Sequence, residues 1–85
     1  MLSPHEVLAE LTELGDGLNN GTCARDEKTR RRTKMLGNLI KILEYARDHP
    51  DRAESNLDPE TLQAVITEAR RLHRDIVEKL DQPTH

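Results

Sequence analysis

Residues 58–81, DPETLQAVITEARRLHRDIVEKLD, decide the fold. Asp58 stands where a helix N-cap belongs and Pro59 at the first helical position, where a missing N–H costs nothing. Leu57 is placed to staple onto Leu62. Leu62, Val65, Ile66, Ala69, Leu72, His73, Ile76, Val77 and Leu80 then recur at helical spacing, and Asp81-Gln82-Pro83 ends the run. A helix over 59–81 is roughly 33 Å long at 1.5 Å per residue. Its apolar stripe is wide enough for two neighbours, so the rest of the chain has to supply them.

Upstream, His49-Pro50 closes a second helix, because the residue before proline is pushed out of helical geometry. Met35, Leu36, Leu39, Ile42, Leu43 and Ala46 read as its apolar stripe, with Ile40 alongside. Gly37-Asn38 does not interrupt that register, so the helix is expected to be continuous over about 23–48. The first helix, over about 4–18, opens on Ser3-Pro4-His5-Glu6, a capping-box pattern. Val7, Leu11, Leu14 and Leu18 form its heptad-like seam, with Leu8 beside the first of them. Asn19-Asn20-Gly21 ends it, with glycine suited to the left-handed position after a helix. No strand alternation, repeat or low-complexity tract is present. The sequence therefore predicts an all-α, single helical domain over 1–85, an antiparallel helical hairpin plus a long third helix with coiled-coil-like packing.

The core of such a domain is small. The chain has 85 residues, one tyrosine and neither phenylalanine nor tryptophan. A chain of this length buries only about 60–65 % of its unfolded surface. That predicts completion by dimerisation, a homodimer of six helices. The third helix offers Leu62, Ile66, Ala69, His73, Ile76 and Leu80 as the expected dimer interface.

Charge is distributed unevenly. Residues 1–20 carry Glu6, Glu10, Glu13 and Asp16 with no lysine or arginine. Residues 25–34 carry Arg25, Lys28, Arg30, Arg31, Arg32 and Lys34 against Asp26 and Glu27, in a chain of net charge −3. Part of this stretch is expected to match helix 1 internally. The hairpin sets Glu13 and Asp16 near Arg25, Lys28 and Arg32, and the long arginine stems can cover Leu14 and Leu18. Extending the helix 2 stripe backwards from Leu36 reaches Arg32, then Thr29 or Lys28, then Arg25. Arg30, Arg31 and Lys34 have no obvious acidic partner and stay open to an outside anion.

Other chemistry is thinly represented. Four histidines (His5, His49, His73, His85) do not converge at zinc-ligand spacing, and no glycine-rich phosphate loop occurs. Cys23 has no CxxC partner and cannot form an internal disulfide, which fits a reducing compartment. Glu6 and Glu10 interrupt any apolar leader, so the chain reads as cytoplasmic, with no membrane span, metal or cofactor. The function expected is a non-enzymatic protein-protein interaction module, a small regulator, inhibitor or adaptor whose partner presents an acidic surface. The alternative is a small DNA- or RNA-binding regulator gripping phosphate with residues 25–34, although the chain is acidic overall and its one tyrosine lies outside that stretch.

Overall fold

A computed structural model describes residues 3–49, 51 and 58–81. They form three α-helices and no strand: α1 (Pro4–Asn20), α2 (Glu27–Asp48) and α3 (Pro59–Asp81). The proposed staple from Leu57 lies outside the described residues.

The helix ends show how local sequence sets the elements. Asp26 is the N-cap of α2, its carboxylate accepting from Thr29 N at 3.0 Å. Residues 21–26 are therefore a connection, and α2 starts later than the 23 expected from apolar patterning. Asp58 caps the start of α3 in the same way, accepting from Thr61 N at 2.8 Å. Both carboxyls are held below the ordinary carboxylate range: Asp26 by the backbone N–H and then the hydroxyl of Thr29, Asp58 by the hydroxyl and then the backbone N–H of Thr61. Ser3 occupies the N-cap position of α1, but its hydroxyl makes no capping bond. Its carbonyl instead accepts from Glu6 N and Val7 N. Gly21 ends α1 in the left-handed region at φ 75°, and the N–H groups of Thr22 and Cys23 turn back onto the Gly17 carbonyl.

α3 is the central element, packed closely along both other helices, while α1 and α2 approach each other least. α2 runs antiparallel to α3. Arg30 near its start reaches Leu80, and Glu44 and Arg47 near its end reach Arg70 and Gln63. Gly15 lies against Ile76, so the end of α1 and the end of α3 sit together. The hairpin is antiparallel, and the third helix runs beside both its arms.

One continuous core joins all three helices. It comprises Val7, Leu11, Leu14 and Leu18 from α1, Leu36, Ile40 and Leu43 from α2, and Leu62, Ile66, Ala69, Ile76 and Leu80 from α3, with Leu8, Cys23, Leu39, Ala46 and Leu72 packed on its edge.

The helix 2 stripe differs from the expected one. The row turned inward is Thr29, Thr33, Leu36, Ile40, Leu43, while Met35 and Ile42 are 51 % and 56 % exposed. Over residues 35–46 the two rows are almost equally apolar. Over residues 28–34 they are not. The row through Met35 continues into Arg32 and Lys28, and burying two cations without counter-charges is costly. The row through Leu36 continues into Thr33 and Thr29, which can be buried because their hydroxyls bond locally. Thr33 Oγ1 donates to Thr29 O at 2.9 Å and Thr29 Oγ1 to Ala24 O at 2.6 Å. The polar half of the helix thus chooses the register of the apolar half.

Gly37 is where α2 and α3 come closest. The ring of His73 lies over it, and a Cβ at residue 37 would stand 2.8 Å from His73 Nε2. The same nitrogen lies 3.1 Å from the Thr33 carbonyl, to which it donates. α2 passes this point unbroken.

Candidate partner-binding surface

The six cations of residues 25–34 do not form one patch. Arg30 is used inside the fold. Its Nη2 donates to the Leu80 carbonyl at 2.9 Å, placing a cation where the last carbonyls of α3 lack helical partners. Arg31 faces solvent and pairs with Glu27 one turn earlier, Nε to Oε1 3.4 Å. Arg25 and Lys28 are exposed, and Arg32 is half-buried. The charge match with α1 is absent: among the described residues no ion pair joins Glu6, Glu10, Glu13 or Asp16 to α2. The basic helix start is offset locally instead, by Asp26 as cap and Glu27 as pair.

Lys34 lies on the other flank of α2, in a groove of about 670 Å³ between α2 and α3. Lys34, Asn38, Lys41 and Glu44 line one wall, and Arg70, Arg74 and Glu78 the other. Ile40, Gly37, His73 and Val77 lie between them, Val77 being 36 % exposed. Glu44 is taken by Arg70, Oε1 to Nε 2.7 Å. Lys34, Lys41 and Arg74 have no ion-pair partner among the described residues. Glu78 also has no ion-pair partner among the described residues, so the groove is apolar along its floor and carries an excess of cations along its rims.

Lys41, Arg74 and Asn38 were not read from the sequence as binding residues, and Val77 was read only as part of the apolar run of the third helix. A signal was present, because Lys34 and Lys41 are two turns apart on one helix and Arg70 and Arg74 one turn apart on another. What was missing was the register that sets the two pairs on facing walls. The remaining charges of α3 are solvated: Arg71 sits between Glu68 and Asp75 on its exposed side.

The six residues read as a dimer interface are placed in the interior of the single chain. Leu62, Ile66, Ala69, Ile76 and Leu80 are buried against α1 and α2, and His73 is half-buried on Gly37. The apolar surface left outside belongs mainly to α2: Met35, Ile42 and Tyr45, the last 48 % exposed and stacked on His49 with ring centroids 4.2 Å apart.

Cys23 is half-buried at the α1–α2 connection, its Sγ 3.6 Å from Thr29 Oγ1. No described helix is long and apolar enough to cross a membrane. Comparison with known protein families, with curated proteins and with solved structures finds no match to the chain.

Proposed function

We propose that this chain is a non-enzymatic helical interaction module of the reducing cytoplasm, a small regulator, inhibitor or adaptor that self-associates and docks an acidic helical segment of a partner protein. The observation that carries the reading is the α2–α3 groove. Its floor of Ile40 and Val77 suits one apolar row of a helix, and Lys34, Lys41 and Arg74 suit carboxylates flanking that row. This keeps Lys34 from the basic stretch as an anchor, adds Lys41 and Arg74, and removes Arg30, which is committed to the end of α3.

The apolar floor favours protein over nucleic acid, since a phosphate backbone has no use for Val77. The two occupants separate in one experiment. The tagged chain is used to capture partners from lysate of its source cells, with and without nuclease, beside a Lys34→Glu/Lys41→Glu variant. A single stoichiometric protein, retained after nuclease and lost in the variant, is the expected result. Binding abolished by nuclease, with a steep salt dependence, would establish the nucleic-acid alternative at Arg25, Lys28, Arg31 and Lys34. A partner bound equally by the variant would remove the groove from the account.

A further inference from the structure

α2 carries a second helical seam besides the one it buries. Arg31, Met35, Asn38, Ile42 and Tyr45 follow one another in steps of four and three residues, and all five are exposed. That spacing is the pattern of a helix that pairs with another helix. Met35, Ile42 and Tyr45 leave about half their surface in water along it. On one side of this seam, towards α3, stand Lys34 and Lys41, neither with an ion-pair partner among the described residues. On the other side lies α1. Gly15 of α1 faces α3. Glu6, Glu10, Glu13 and Gly17 form the row on its opposite flank, and Gly17 lies against Cys23 of the connection to α2. The heights of these rows are fixed. Gly37 lies against His73, Arg30 reaches Leu80 and Gly15 lies against Ile76, so Gly15 is level with Lys34. Glu13 is then level with Leu36, Glu10 with Leu39 and Glu6 with Leu43. Across the outer surface of α2 the order is therefore acidic row, apolar seam, basic pair.

We infer that a second copy of this chain covers the outer seam of α2, related by a two-fold axis that runs along the seam, parallel to the helix. The inference rests on the self-association proposed above and names its surface. α2 then packs on α2 of the other copy in parallel and in register, and Met35, Ile42 and Tyr45 are removed from water. The same axis exchanges the two sides of the seam, so the acidic row of each α1 falls over the basic pair of the other copy. Glu13 meets Lys34 and Glu6 meets Lys41, each pair offset by two residues, about 3 Å along the axis and within the reach of a lysine. Asn38 meets its own counterpart, and the two amides can bond to each other. Arg31 also meets its counterpart, each being held by its own Glu27. Antiparallel packing would instead set Asn38 against Ile42 and bring the two acidic rows together. The interface is isologous, so one acidic row and one basic pair satisfy both copies at once. α1 is about 25 Å long and two helices side by side are about 20 Å wide, giving ~500 Å² per copy. The total of ~1,000 Å² is at the lower bound for a specific interface. The dimer is therefore modest in affinity, and it weakens as salt rises. Lys34 and Lys41 also rim the α2–α3 groove, so a partner helix in that groove competes with the second copy for them.

The test is sedimentation of the full chain over a wide concentration range, at low and high salt, beside three variants. Glu6→Lys/Glu13→Lys makes both sides of the seam basic, Lys34→Glu/Lys41→Glu makes both acidic, and Met35→Glu/Ile42→Glu charges the seam itself. All six side chains are exposed, and helicity by circular dichroism checks each fold. The wild type is expected to dimerise, with each variant monomeric alone. Mixing the two charge-reversed variants is expected to restore a heterodimer, since each basic side then meets an acidic one. Orientation is read from an Arg31→Cys/Cys23→Ser chain, which is expected to cross-link to its own counterpart on mild oxidation. A wild type that stays monomeric throughout overturns both this surface and the self-association reading, while the capture of a partner by the groove is decided separately by its own experiment. A dimer that Met35→Glu/Ile42→Glu retains overturns the surface alone. Charge-reversed variants that stay monomeric when mixed overturn the pairing of acidic row with basic pair. A dimer that does not cross-link through residue 31 overturns the parallel axis.

Discussion

α3 and α2 are of nearly equal length, yet one had a single possible inward face and the other had two. In α3 the apolar positions crowd onto one broad stripe, and every alternative rotation would bury arginine or glutamate. In α2 the row through Leu36 and the row through Met35 compete on equal terms over their last three turns. The decision falls in the first two turns, where threonines oppose lysine and arginine. A helix is a rigid reporter of register. Two buried threonines at one end fix which leucines and isoleucines are buried at the other, some 15–20 Å away.

The largest test of this comparison is a matched pair of substitutions two residues apart. Ile40→Glu should abolish cooperative folding, because a carboxylate without a partner enters the core, a loss exceeding about 4 kcal/mol. Ile42→Glu should change the stability of the single chain by less than ~0.5 kcal/mol. Urea denaturation of both would decide it; equal losses would mean that α2 is turned differently.

Gly37 offers a second test. Alanine is the better helix former by about 1 kcal/mol. Its Cβ would, however, displace the His73 ring and its bond to the Thr33 carbonyl. Gly37→Ala should therefore lower stability, by on the order of 1 kcal/mol. In a His73→Ala background the same change should become stabilising. A gain in both backgrounds would show that the close approach of α2 and α3 carries no constraint.

A smaller effect separates two neighbouring arginines. Arg30→Ala should cost about 0.5–1 kcal/mol, because a cation and a donor leave the end of α3. Arg31→Ala should cost close to nothing, its pair with Glu27 being solvent-exposed. Thermal melts of the two variants at low salt would read the difference, and equal melting temperatures would remove Arg30 from its structural role.

The smallest expected effect concerns acid. The Asp26 and Asp58 carboxyls are lowered in the folded chain, so the unfolded chain binds their protons first. Their contribution is complete above the unfolded value near 3.8 and disappears as pH falls through the lower folded values. Asp58→Asn keeps a capping oxygen without a titrating one. Denaturation curves between neutral pH and the acid limb should show a shallower acid loss in this variant. An acid limb identical to that of the wild type would place the loss elsewhere.

Much of the fold could be read from short-range sequence. Asp58-Pro59, Asn20-Gly21 and His49-Pro50 each act on their own backbone, so their effect is visible without knowing the rest of the chain. The three helices and their order followed from such signals and from periodicity. The facing row of α2 did not, because its choice depends on the free energy of burying Arg32 and Lys28 against α1 and α3. Nor did the role of Arg30, whose acceptor, the Leu80 carbonyl, is 50 residues distant. The groove shares that difficulty. Lys34, Lys41, Arg70 and Arg74 are ordinary surface cations until antiparallel packing sets two helices a groove apart.

The position of Cys23 has a practical consequence. It is the only thiol in the chain, tucked beside Thr29 where α1 gives way to α2. An alkylating reagent reaches it fully only when that connection opens. Its modification rate is thus a built-in clock for local opening of the hairpin.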